Sequence, residues 1–174
     1  MSERISLIMN KNPFETSFIG GIGLKTGLRA AACGSVDELS AFILLSVSLA
    51  GENKSSARRL LTRCNELISL GTDLASLAKP DTFNLSEDIF ESLLTETHML
   101  ESSLPPVSGF LLPCESPFSS ALNLARTHAR KAEREVLRLM EEDEYLNPVC
   151  CRYLNLISTY LFAETRLSLN KRED

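Results

Sequence analysis

The sequence predicts an all-α protein, a bundle of five helices, on three observations. Apolar residues return every three or four positions through five segments between residues 35 and 168. Each segment is bounded by residues that start or stop helices. No window alternates apolar and polar residues as a half-buried strand does.

Residues 1–34 hold five of the eight glycines, Gly20, Gly21, Gly23, Gly27 and Gly34, with no sustained period, and read as irregular chain. The first helix is expected from Ser35, where Ser35 and Glu38 have the spacing of a capping box, to about Ala50, with Gly51 as its stop. The second is expected over about 55–78, because Leu60, Leu61, Cys64, Leu67, Ile68, Gly71, Leu74 and Ala75 fall on one broad stripe; Pro80 ends it. The third starts near Ser86, carries Ile89, Phe90, Leu93, Leu94 and Leu100, and closes at Pro105-Pro106. The fourth opens at Ser116-Pro117, an N-cap followed by proline at the first helical position. Its apolar side is Ala121, Leu122, Ala125, Ala129, Ala132, Val136 and Leu139, and it runs to about Glu142. The fifth opens at Asn147-Pro148 and continues through Leu154, Ile157, Leu161 and Phe162 to about Leu167. The connections are short enough for neighbours to lie antiparallel. The expected organisation is a single domain over 1–174, with 1–34 irregular and 35–168 helical.

Apolar residues make up 44% of the chain and charged residues 24%, which excludes a disordered or collagen-like chain. There is no Trp and aromatics are only 6%, so the core must be built from Leu, Ile, Val and Ala. A net charge of −5 argues against a nucleic-acid partner, which calls for a basic surface. The five cysteines are odd in number and form no C-x-x-C, and His98 and His128 lie far apart. Neither a zinc site nor a disulfide framework is written there, and no resident metal is expected. Residues 1–9 carry no secretory apolar region. The longest apolar run, residues 41–50, is shorter than the roughly 20 residues that span a bilayer. The expectation is a cytoplasmic protein with no membrane partner.

The densest polar feature is the fourth helix. Arg126, Arg130 and Arg134 are spaced by four and share one face. A row of guanidinium groups suits phosphate oxygens. The competing reading is a solvated face laced by intrahelical pairs such as Glu135 with Arg138, and spacing by itself favours it. Asp37 and Glu38, placed at the start of the first helix, are explained by the helix dipole alone. The loop Phe110-Leu-Leu-Pro113 reads as apolar packing before the fourth helix, and His128 as a core or interface residue. Gly20-Gly21-Ile-Gly-Leu-Lys25 is glycine-rich beside a lysine but fits neither the P-loop nor the dinucleotide fingerprint.

Taken together, TSFIGG (16–21), GSVDELSA (34–41), LPPVSGFLLP (104–113), ALNLARTHARKAER (121–134) and YLNLISTYLF (153–162) resemble the PduO-type ATP:cob(I)alamin adenosyltransferases. The resemblance runs from about residue 16 to 166, and its most specific parts are the fourth and fifth helices. It implies a homotrimer of five-helix bundles with active sites between subunits. It implies transfer of the 5′-deoxyadenosyl group of ATP to cob(I)alamin, with release of triphosphate, in the presence of Mg²⁺. It further implies an electron donor for the cobalt and an adenosylcobalamin-dependent enzyme as consumer. By the same resemblance Arg130 and Asn155 hold ATP, and Thr16 and Lys25 end its N-terminal binding segment. Glu133 and Arg134 complete the polar helix. Asp37 and Arg126 match a pair joining subunits, and Phe110 matches the aromatic that closes the lower corrin face.

The chain departs from the family pattern around the nucleotide. The signature T-[KR]-x-G-D-x-G-x-T is replaced by Met9-Asn-Lys-Asn-Pro-Phe-Glu15, without its glycines or Asp. The Glu of R-x-E-A-x-G is Ala31, the P-G-G after the aromatic loop reads Pro113-Cys-Glu115, and the last helix lacks an Arg and an Asp after Asn155. These departures motivate an alternative, a non-catalytic relative that has lost ATP handling and binds cobalamin or a protein partner.

Overall fold

A computed structural model describes residues 12–78, 80–107, 109, 111–113 and 115–170. Five helices build it: α1 (Leu28–Ser48), α2 (Lys54–Ala75), α3 (Glu87–Ser102), α4 (Pro117–Glu142) and α5 (Val149–Asn170). Helix α1 packs on α4 and α2, α4 on α5, and α5 on α3. Ala125, Ala129 and Ala132 of α4 are completely buried, and their small side chains let the neighbouring axes come close. Tyr153 and Tyr160 of α5 are the largest fully buried side chains.

The helix starts follow the sequence at α3, α4 and α5. Ser86 caps α3, its hydroxyl accepting from Ile89 N. Ser116 and Ser119 form a reciprocal capping box at α4, with Pro117 in the first turn. Asn147 Oδ1 accepts from Val149 N at 3.0 Å at the start of α5. Glu142 ends α4 as expected, while α5 continues three residues past Leu167 to Asn170.

Two expectations for residues 1–34 are corrected. Residues 15–24 are not irregular: β1 (Glu15–Phe18) and β2 (Gly21–Leu24) pair antiparallel, with Phe18 opposite Gly21. The strands are only four residues long and two positions of β2 are glycine, which hides the alternation. Gly20 turns the chain at φ +91°, where a side chain is strained, and a Cβ on Gly23 would lie 2.7 Å from the Phe18 ring. The second correction is the start of α1, at Leu28 rather than Ser35. The run Leu28-Arg-Ala-Ala-Ala-Cys33 has strong helix formers, and these outweigh Gly34. Ser35 is therefore a buried residue in mid-helix and not a cap. Asp37 and Glu38 sit in the third turn of α1, so the dipole account of them does not apply.

Helix α2 stops at Ala75, three residues early, because the hairpin takes over its backbone. Ile19 N donates to Ala75 O at 2.9 Å and Leu77 N donates to Ile19 O at 3.0 Å. Just before this, Asp73 is buried and accepts from Asn84 N, Asn84 Nδ2, Leu85 N and Asn147 Nδ2, at 2.7–3.0 Å. One carboxylate thus fixes the α2–α3 connection to the start of α5.

By length and composition alone α1 is long and apolar enough to cross a membrane, an 18-residue stretch of it having a mean hydropathy of 1.5. In the fold its Ala32, Leu39 and Ile43 are completely buried, while Leu44 and Leu45, and Leu49 just past its end, remain exposed.

Where α2 faces α3 and α5 the chain uses long polar side chains, which the sequence pattern did not reveal. Arg63, only 2% exposed, pairs with Glu66 at 3.0 Å and Glu96 at 3.4 Å. Arg59 pairs with the fully buried Glu164 at 2.6 Å. Tyr153 donates to Glu66 at 2.6 Å, and the Tyr160 hydroxyl lies 3.2 Å from both Glu96 and Glu164. Burial pushes the Glu66 carboxyl above the usual glutamate range, against the Tyr153 hydrogen bond and the Arg63 charge that favour ionisation. A carboxyl raised in the folded state stabilises the fold below its unfolded pKa, and that contribution is lost as pH rises through the folded value. The stability of wild type relative to Glu66→Gln should therefore be greatest below about pH 4.5 and decline above it. Denaturant titrations of both proteins from pH 4 to pH 8 measure this, and a difference that grows with pH would contradict it.

Candidate functional site

Helix α4 turns Arg126, Arg130 and Arg134 away from its buried alanine side. Arg130 and Arg134 are exposed and Arg126 is half-buried. Among the described residues none of the three makes an ion pair. Glu135 does bind Arg138, at 3.2 Å, so intrahelical pairing exists on α4 but leaves this row out. Arg126 donates to Asn123 Oδ1 at 2.9 Å. Burial lowers the Arg126 pKa, and the like charge of Arg130 lowers it further. A row of mutually repelling, unneutralised guanidinium groups favours a polyanion.

Helix α5 completes this face. Asn155 donates to Glu133 Oε1 at 2.9 Å, which brings Asn155 beside the arginine row and occupies the one carboxylate within it. On the α1 side Lys131 donates to Glu38 at 2.6 Å, and that bond, first among several causes, lowers the Glu38 pKa. His128 stacks on Phe42 with ring centroids 4.1 Å apart, as a packing residue would.

The other expected nucleotide residues lie elsewhere on the chain. Thr16 is on β1, and Lys25 follows β2, its backbone N–H donating to Phe14 O at 2.9 Å. Both belong to the hairpin fastened to the end of α2, with α1 between α2 and α4. Asp37 is exposed at the edge of a cleft of about 330 Å³ that is also lined by Ile19, Val36, Leu67, Ile68 and Gly71. Among the described residues Asp37 makes no ion pair, and it does not meet Arg126. The structure therefore gathers Arg126, Arg130, Glu133, Arg134 and Asn155 along α4 and α5 and leaves Thr16 and Lys25 on the hairpin and Asp37 at the α1 cleft. Phe110 lies outside the described residues.

Sequence reasoning met Arg29 only as the Arg of the R-x-E-A-x-G stretch and gave it no role; in the structure it ties α1 to α2 and α4. Its guanidinium donates to Leu74 O, to Ser76 O at 2.7 Å and to Asp143. The match to that stretch gave no sign of three acceptors this far away in sequence.

Among the described residues no group of three or more His, Cys, Asp or Glu could hold a metal ion. Burial raises the thiol pKa of Cys33, Cys64, Cys150 and Cys151, so none of these is an activated nucleophile. The face offers anion binding and positioning.

A family model described as cobalamin adenosyltransferase matches residues 15–168. The corrinoid adenosyltransferase of Bacillus subtilis (strain 168) is 35% identical over 156 residues, covering 88% of this chain and 80% of the relative. The corrinoid adenosyltransferase PduO of Citrobacter freundii is 33% identical over 153 residues, covering 86% of this chain but 45% of that longer protein. A phenylalanine-to-alanine variant of a PduO-type ATP:corrinoid adenosyltransferase from Lactobacillus reuteri, solved in complex with cobalamin and ATP, superposes with a TM-score of 0.82. It is 30% identical, and the match covers 89% of this chain and 88% of that one.

Proposed function

The chain belongs to the cobalamin adenosyltransferase family, and from that premise we propose that it transfers the 5′-deoxyadenosyl group of ATP to cob(I)alamin, releasing triphosphate. The observation that carries the reading is the row Arg126, Arg130 and Arg134, which forms no ion pair among the described residues and lies beside Asn155. Cobalt(I) is a strong nucleophile. It attacks C5′ of ATP, a Co–C bond forms, the C5′–O bond breaks, and the electron pair leaves with triphosphate. No proton has to be moved by a side chain in this step. The protein's tasks are to align C5′ with the cobalt and to stabilise charge on the leaving group.

Arg130 and Arg134 take the phosphates, Asn155 holds the nucleotide with its orientation set by Glu133, and Thr16 and Lys25 close from the hairpin. The corrin is assigned to Phe110 by its match to the family's aromatic. Mg²⁺ arrives on the phosphates, since it is commonly bound through substrate phosphates.

The separation of the two groups of residues supports a homotrimer. A hairpin on one chain and an arginine face on the next complete a site that one chain leaves in halves. Asp37, unpaired among the described residues, then meets Arg126 of a neighbour, and Ile68, 67% exposed in the monomer, is covered. Light scattering should give three times the 19.3 kDa of one chain, and Asp37→Ala should lower that mass. A monomeric wild type contradicts the assembly. The assigned compartment is the cytoplasm.

Function is tested by incubating the protein with reduced cobalamin, ATP and Mg²⁺ and following the adenosylcobalamin spectrum. Absence of the spectral change at high protein concentration, together with no ATP heat in calorimetry, would overturn the reading.

A further inference from the structure

We infer that Arg29 is a positioning residue for the hairpin, acting through the chain just past the end of α2; this rests on the reading in which Thr16 and Lys25 hold ATP. The tip of the hairpin is attached to the bundle by backbone bonds from Ile19 to Ala75 and Leu77. That attachment is only as firm as residues 74–77. Leu74 and Ala75 end the last turn of α2 and Ser76 and Leu77 follow it, a place where carbonyls lack intrahelical donors. Arg29 donates to Leu74 O and Ser76 O, the carbonyls on either side of the one that Ile19 uses. Its other nitrogen binds Asp143, the C-cap of α4. One guanidinium therefore gathers the C-terminal ends of two helices, both of which favour a cation there. Its planar fork reaches separate acceptors in a way an ammonium cannot.

The position of Arg29 in the chain gives the clamp its effect. Arg29 stands in the first turn of α1, four residues after Lys25. The hairpin tip at Ile19 and the exit from Lys25 are thus referred to the same short segment, one through backbone pairing and the other through the Arg29 side chain. Arg29 itself touches neither Thr16 nor Lys25 among the described residues, so its influence on the nucleotide runs through placement. With its side chain largely buried and its acceptors on two other helices, it holds the hairpin at a fixed distance from the bundle.

The test compares Arg29→Ala, Arg29→Lys and Lys25→Ala in the full chain. Hydrogen exchange is read at the Ile19 and Leu77 amides and in α5, and KM for ATP is read against kcat. In Arg29→Ala the Ile19 and Leu77 amides should exchange roughly tenfold faster while α5 is unchanged. KM for ATP should rise roughly tenfold with kcat at saturating ATP nearly unaltered, the pattern of lost ground-state placement. Arg29→Lys should recover part of both effects. Should Arg29→Ala loosen α5 as well, Arg29→Lys and Asp143→Asn carry the same comparison. Unchanged amide exchange overturns the inference. So does faster exchange with an unaltered KM for ATP, provided that Lys25→Ala weakens ATP. If Lys25→Ala leaves KM for ATP intact, the assignment of the hairpin to the nucleotide has failed, and the positioning role falls with it.

Discussion

Arg130→Ala should stay folded and assembled and lose most of its ATP affinity. Arg130 is exposed and forms no ion pair among the described residues, and alanine is the best helix former, so nothing in the bundle depends on the guanidinium. In the complex it would make charge-assisted bonds to phosphate, each contributing about 1.5–3 kcal/mol. Losing one such bond lowers affinity roughly ten- to more than a hundredfold. Calorimetric titration with Mg-ATP measures the loss. Cobalamin binding should barely change, since the corrin is assigned to Phe110. Phe110→Ala should behave in the opposite way, keeping ATP and impairing the corrin step. If the two variants behave alike, or if Arg130→Ala unfolds, the arginine row is structural and the nucleotide assignment is wrong.

The second large effect is on stability. Arg59→Ala strands Glu164, which is completely buried and keeps only a 3.2 Å contact with the Tyr160 hydroxyl. That hydroxyl has a single proton and also faces Glu96 at 3.2 Å, so it cannot satisfy both carboxylates at once. Breaking a buried pair by removing one partner costs about 3–5 kcal/mol. In a protein of this size that lowers the melting temperature by roughly 6–20 °C. Adding Glu164→Gln to Arg59→Ala removes the stranded charge and should recover part of the loss, because a neutral amide is less costly to bury. Thermal unfolding followed by circular dichroism checks both variants. A fall of less than about 3 °C for Arg59→Ala would mean that the pair contributes little.

How far the sequence carried depended on whether a feature was local. The starts of α3, α4 and α5 were legible because Ser86, Ser116-Pro117 and Asn147-Pro148 act within three residues of themselves. The alanine face of α4 was legible through its period. The hairpin was not, because four-residue strands with glycine at alternate positions carry almost no apolar alternation. The early start of α1 was missed because the weight given to Gly27 and Gly34 hid the alanine run between them. Asp37 and Glu38 were placed correctly in the chain but explained wrongly, and only the real start of α1 shows that the dipole cannot reach them. Most of the α2 network was out of reach, since Arg59 with Glu164 and Tyr153 with Glu66 join residues 105 and 87 positions apart. Within the site, the arginine spacing marked the face. Whether those arginines were paired within the helix was decided by side-chain placement, where Glu133 turns to Asn155 and Glu135 to Arg138.

The order in which α1 and its partners leave the ribosome has a consequence for biosynthesis. Helix α1 is complete at Ser48, but its chief partner α4 ends only at Glu142. At about 5–20 residues per second, roughly five to twenty seconds pass before that partner exists. Throughout this interval a 21-residue helix, containing an 18-residue stretch with a mean hydropathy of 1.5, has α2 as its main cover. A nascent chain in that condition is a substrate for ribosome-associated chaperones and for the targeting machinery that samples apolar segments. Faithful production of the protein then depends on how quickly α2 folds back, and slow translation between residues 49 and 116 should lower the yield of soluble chain more than slow translation after residue 142.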